Sequence, residues 1–250
     1  MSERFLLTIE YDGTHYSGWQ RQLNGPSIQQ EVEHALHRLT GQRAAVTGAS
    51  RTDAGVHALG QCAHVDLDVS IPPDKLPFAL NTLLPRDIRV LQGERVGPAF
   101  HARFQARGKE YAYRIFNRRH PSALRRHFAA HVALPLDDAA MARAAQDLVG
   151  THDFAAFQAA GGTAKTTVRT ITSAALTREG DELLLTIQGN AFLYNMVRII
   201  AGTLIYVGLH KLPEDAFARA IETGDRLLLG PTAPPQGLCL NRVYYEGEAL

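Results

Sequence analysis

The run Gly48-Ala49-Ser50-Arg51-Thr52-Asp53-Ala54-Gly55-Val56-His57-Ala58 has the most chemically suggestive spacing in the chain. Arg51 lies two residues before Asp53 and His57 four after, so a nearby cation could hold the carboxylate ionised and oriented for nucleophilic attack or proton transfer. Gly55 permits the positive φ of a tight turn. The plain alternative is an Asx-type turn capped by its own aspartate, and local spacing leaves both open. His57 and His64 stand seven residues apart with no further ligands at a recognisable spacing, so no metal site is expected.

A second group of residues suits nucleic acid. Only four of the 26 basic residues are lysines, at 75, 109, 165 and 211. The rest are arginines, whose planar fork grips phosphate bidentately and stacks on bases. Between Pro98 and Ala130 stand Arg103, Arg107, Lys109, Arg114, Arg118, Arg119, Arg125 and Arg126, opposed by the single acid Glu110. Tyr111, Tyr113, Phe116 and Phe128 are interleaved. That mixture fits backbone neutralisation and base stacking, and equally a solvated arginine-rich hairpin.

The elements that must position these residues follow from periodicity. Phe5 to Tyr11 reads as a strand stopped by Asp12-Gly13. Ser27 with Gln30 forms a capping box for a helix with Ile28, Val32, Ala35, Leu36 and Leu39 on one face, closed by Gly41. Short strands are expected over 45–49 and 63–67, on either side of the Asp53 loop. A helix follows over 73–84, then strands over 88–96 and 109–117. The second half predicts a helix over 137–149, a hairpin of 168–176 with 183–188, and the longest helix over 192–207. One more helix starts at Leu212-Pro213, and a last strand covers 237–245. Each half thus reads strand, helix, strand, strand, helix, strand, the split βαβ or ferredoxin-like order. The expected fold class is α+β: two such halves, 1–104 and 105–250, sharing a mostly antiparallel sheet with helices on one face. Gly161-Gly162-Thr163-Ala164 is the expected mobile loop.

Composition limits what this frame can be. The chain has 250 residues, 45% apolar and 20% charged, with a net charge of +1, which argues against disorder and low-complexity architecture. Its N-terminal apolar run is too short for a signal-peptide core, and no stretch approaches a membrane span. Cys62 and Cys239 are far apart in sequence, without the spacing of a disulfide framework or zinc motif. A reduced, cytoplasmic location is expected.

Arg51-Thr52-Asp53-Ala54-Gly55-Val56-His57-Ala58 resembles the signature of the tRNA pseudouridine synthase A (TruA) family. Further blocks resemble that family in order along essentially the whole chain: E-Y-D-G-T-H-Y-S-G-W-Q at 10–20, F-H-A-R at 100–103, Y-A-Y-R-I at 111–115, G-T-H-D-F at 150–154, T-V-R-T-I at 167–171, F-L-Y-N-M-V-R at 192–198 and G-P-T-A-P-P-Q-G-L at 230–238. The resemblance implies isomerisation of uridine to pseudouridine at positions 38–40 of the tRNA anticodon arm, by a homodimer without cofactor or metal. It implies that Asp53 is the essential residue, that Arg198 pairs with it in a buried salt bridge, and that Tyr111 stacks on the flipped uracil and could help remove its C5 proton. Arg51 corresponds to a residue that holds the distorted RNA backbone. His57, Arg114, Arg118 and Arg119 are further candidate substrate contacts, the last two from charge alone. Three routes for Asp53 stay open: attack on C1′ of the ribose, addition to C6 of the uracil, or removal of the 2′ proton. Tyr194-Asn195 stand where family members often carry histidines, so the resemblance gives those positions no role. Two other classes compete: a non-catalytic RNA-binding module, which has no need of an ionised Asp53, and an aspartate-based metal-dependent hydrolase.

Overall fold

The structure, a computed structural model, describes residues 2–23 and 25–248. The chain divides into two units. One contains the described residues up to Arg107 together with those from Leu240 onward, and the other runs from Gly108 to Cys239.

The first unit begins with strand β1 (Glu3–Tyr11), helix α1 (Ile28–Thr40), the two-residue β2 (Thr47–Gly48), β3 (His57–Leu67), α2 (Leu76–Asn81) and β4 (Ile88–Val96). β1 lies between β3 and β4, antiparallel to both, with Phe5 opposite Val65 and Leu7 opposite Gly93. β2 pairs with the far side of β3, so β4-β1-β3-β2 is the strand order of a split βαβ unit. The Ser27 side chain caps the helix by accepting from the Gln30 amide, the N-terminal half of the expected capping box, and Gly41 closes α1 at φ 71°. Phe5, Leu7, Ile9, Ile28, Leu36 and Leu67 are fully buried in this core.

The second unit contains β5 (Gly108–Asn117), β6 (Ala130–Val132), α3 (Asp138–Gln146), β7 (Gly150–Asp153), β8 (Val168–Glu179), β9 (Glu182–Gly189), α4 (Met196–Gly208) and α5 (Ala216–Thr223). Its strands run β5-β9-β8-β7 through antiparallel pairs, and β6 pairs with β5 in parallel. The last strand, β10 (Leu238–Tyr244), joins β3 of the first unit from Leu240 onward. The architecture is therefore α+β with mostly antiparallel strands.

Several boundaries differ from those expected, each for a physical reason. β3 begins at His57 instead of residue 63, because its first half, Leu59 apart, is buried on both faces and shows no apolar-polar alternation. α4 begins at Met196, four residues later than the apolar run suggests, because Asn195 adopts the left-handed conformation at φ 61°. The β8–β9 hairpin closes on Gly180-Asp181, with Gly180 at φ 57°, so both strands run further toward the turn than the expected 168–176 and 183–188. The short β6 and β7 lack enough periodicity to be read. Among the described residues no helix is long and apolar enough to cross a membrane. Cys62 and Cys239 are both buried and form no disulfide.

Candidate active site

Asp53 lies partly exposed on the loop between β2 and β3, flanked by exposed Arg51 and buried Thr52. Chain far upstream immobilises that loop. The Trp19 amide donates to the Thr52 carbonyl (3.1 Å), and the Gly55 amide donates to the Tyr16 carbonyl (3.3 Å). The phenol of Tyr11 and the hydroxyl of Thr52 share a buried hydrogen bond of 2.7 Å. Two glycines make this approach possible. A Cβ on Gly13 would lie 2.0 Å from the Val56 carbonyl oxygen, and one on Gly18, at φ 97°, would lie 2.4 Å from that of Thr52. Within the loop the Val56 amide closes a turn on the Asp53 carbonyl at 3.1 Å, with Gly55 at φ 76° as its sequence position suggests.

His57 is placed beneath this loop and is 6% exposed. Its Nδ1 accepts from the Gly13 amide at 3.1 Å and lies 3.1 Å from Asp12 Oδ1. Burial acts to raise the Asp12 carboxyl's pKa. The Thr14 hydroxyl and amide, with His57 and His15 nearby, outweigh it and hold the group below the ordinary carboxylate range. Trp19, 3% exposed, packs against the backbone of Gly48, where a Cβ would meet the indole at 2.4 Å. It is a packing residue here.

Tyr111, Arg114 and Arg198 belong to the second unit. Tyr111 is on β5 opposite Ile187 of β9, 6% exposed, with its ring edge-on to Phe192 at 5.1 Å between centroids. Arg198 lies in the first turn of α4, and the 230–238 segment grips it. Its Nε donates to the Ala233 carbonyl (2.8 Å), Nη1 donates to Asn195 Oδ1 (2.8 Å), and its own carbonyl accepts from the Ala233 amide (3.0 Å). That grip depends on Gly202, where a Cβ would stand 1.8 Å from the Pro231 carbonyl oxygen, and on Thr203, whose hydroxyl accepts from the Gly230 amide at 2.9 Å. Tyr113, fully buried next to Tyr111, donates to the Pro234 carbonyl at 2.8 Å. Burial raises its phenol above the usual range, with the Arg198 charge opposing that shift.

These observations frame the comparisons with known proteins. A family model described as tRNA pseudouridine synthase matches residues 7–105 and 144–246. The tRNA pseudouridine synthase A of Acetivibrio thermocellus is 50% identical over 239 residues, 96% of this chain and 98% of its own. That of Ruminiclostridium cellulolyticum is 50% identical over 243 residues, 97% and 99% of the two chains. That of Halalkalibacterium halodurans is 46% identical over 241 residues, 96% and 92%. The chain belongs to the tRNA pseudouridine synthase family.

In this family member the arginine-rich segment is split between two environments. Arg114 is half-buried on β5. Arg118 and Arg119 are exposed beyond its end. The Arg118 guanidinium lies 4.9 Å from the Phe116 ring centroid and 3.7 Å from Asp181, and its Nε donates to the His120 carbonyl at 3.2 Å. Arg125 lies 5.5 Å from the same ring and 2.7 Å from Glu182. Ion pairs this exposed are worth little, so exchanging a carboxylate for a phosphate costs these arginines little. The sequence does not single out Tyr11 or Thr52, and it gives Asn195 no role. Tyr11 and Thr52 sit inside blocks 10–20 and 51–58 of the pseudouridine synthase pattern, so reading each block as one unit would have drawn attention to them. Asn195 sits inside the 192–198 block, but its two roles, as the left-handed residue before α4 and as the acceptor for Arg198 Nη1, come from geometry that the residue type does not announce.

Proposed function

We propose that this protein isomerises uridine to pseudouridine in the tRNA anticodon arm, at positions 38–40, with Asp53 as the essential residue. The observation that carries this reading is the family match across both units, together with a loop that presents Asp53 while its neighbours are held by buried bonds. The chemistry balances without a co-reactant. The N1–C1′ bond breaks, a C5–C1′ bond forms, the C5 proton leaves and N1 gains one. No electrons leave the nucleotide, so the reading calls for no cofactor.

In this reading Asp53 acts as a carboxylate on the sugar or the base. Arg198 supplies the cation that keeps such a group charged away from bulk water. Tyr111 stacks on the extruded uracil, which offsets part of the few kcal/mol that flipping costs. Arg51 and the segment with Arg114, Arg118 and Arg119 hold the RNA backbone, and His57 supports the loop from below. The enzyme works as a cytoplasmic homodimer in this account, on the strength of the resemblance.

Release of tritium from [5-³H]uridine in an unmodified tRNA transcript tests the reaction, because only loss of the C5 proton frees the label. Stoichiometric release by the purified protein is expected, and an inert transcript bearing a family target uridine would overturn the assignment. For Arg118→Ala with Arg119→Ala, binding to that transcript should weaken. The plot of log K against log salt should flatten by about 1 to 2 in slope, one or two phosphate contacts having been lost. An unchanged slope removes both arginines from the phosphate path.

A further inference from the structure

We infer that Tyr11 is a positioning residue for the isomerisation, acting through the hydroxyl of Thr52 on the orientation of Asp53. The inference rests on the reading of Asp53 as the essential residue.

Tyr11 ends β1, where the pairing with β3 slips: Ile9 faces Gln61 but Tyr11 faces Ala58. Such a bulge bends a strand and re-aims the side chain beyond it. Here it accompanies a phenol whose oxygen sits 2.7 Å from Thr52 Oγ1. Both residues are nearly out of solvent, at 2% and 7% exposure, so water cannot replace the bond if one partner is lost. Trp19 lies against the Tyr11 ring at 6.1 Å between centroids, and its amide holds the Thr52 carbonyl. Thr52 is therefore fixed by side chain and main chain together, one residue before the carboxylate. Asp53 has its own carbonyl tied to the Val56 amide, so its main chain is held on both sides of the side chain. A shift at Thr52 passes directly into the carboxylate's position, and a displacement of about 1 Å is enough to cost about 10²-fold in rate.

The test uses the full-length protein and the tritium-release assay with four variants. Tyr11→Phe and Thr52→Val should each lower kcat roughly 10- to 100-fold, while KM and the Kd for the transcript stay within about twofold. The double variant should be no slower than the slower single, because both remove one bond. Thr52→Ser, which keeps the hydroxyl, should retain most of the rate. Wild-type kcat in Tyr11→Phe overturns the inference, as does a raised KM at unchanged kcat, or losses that multiply in the double variant. If Tyr11→Phe fails to fold, the contrast of Thr52→Val with Thr52→Ser decides, and equal rates for those two overturn it. Asp53→Asn separates this inference from its premise: retained conversion in that variant sinks the premise, whereas an inactive Asp53→Asn beside a fully active Tyr11→Phe sinks the positioning role alone.

Discussion

Asp53→Asn should release tritium at least about 10⁴-fold more slowly than the wild type, a loss of roughly 5.5 kcal/mol of transition-state stabilisation. Asparagine matches aspartate in size but is neutral and a poor base, so neither covalent attack nor proton removal survives, whichever of the three routes operates. Affinity should not follow activity. Phosphate contacts dominate binding to nucleic acid, and removing a negative charge near a polyanion can only favour association. The Kd at fixed salt is therefore expected to be equal to or slightly below that of the wild type. Folding should also survive, because the Thr52 hydroxyl and carbonyl, the Gly55 amide and the main chain of Asp53 make bonds that hold the loop without the Asp53 carboxylate. Mobility-shift binding and tritium release on one preparation separate these quantities. Conversion within tenfold of wild type removes Asp53 from the chemistry. Parallel loss of binding makes it a binding residue and revives the non-catalytic RNA-binding reading.

How much of this site is legible in the sequence depends on how local its causes are. The cap at Ser27, the stop at Gly41 and the turn at Gly55 follow from neighbouring residues, and the structure places them where the sequence predicts. The Asp53 loop stands out for the same reason, since Arg51, Gly55 and His57 are within four residues of it. What holds the loop is not legible. Tyr11 and Thr52 are 41 positions apart, and neither residue type announces the other. The bond from Tyr113 to Pro234 spans 121 positions. Periodicity also fails where a strand is buried on both faces, as in the first half of β3, and where one left-handed residue interrupts an apolar run, as Asn195 does before α4. In each unit a remote glycine-bearing segment braces a candidate catalytic residue: residues 11–19 brace the loop of Asp53, and residues 230–238 brace Arg198. The glycines matter because main chain meets main chain there, at separations that leave no room for a Cβ.

The second bracing predicts that Arg198 cannot be replaced by the other long cation. Arg198→Lys keeps the charge but has one nitrogen where the guanidinium uses Nε on the Ala233 carbonyl and Nη1 on Asn195. A lysine donates from a single point where the guanidinium donates from two positions in a fixed fork, and its flexible stem gives the charge no fixed direction. If Arg198 stabilises the Asp53 carboxylate, kcat should fall about 10²-fold in the lysine variant, with Kd for the transcript within about threefold. Arg198→Met, similar in length but uncharged, should fall further, because an Asp53 deprived of its cation stays ionised only at a cost in free energy. Part of that cost is relieved if Asp53 becomes protonated. If Arg198 is the cation beside Asp53, its loss makes the carboxylate harder to ionise, so the Met variant should regain activity relative to the wild type as pH rises. A Met variant with a wild-type pH profile would mean that Arg198 serves the packing of α4 against residues 230–238 and leaves the charge of Asp53 untouched.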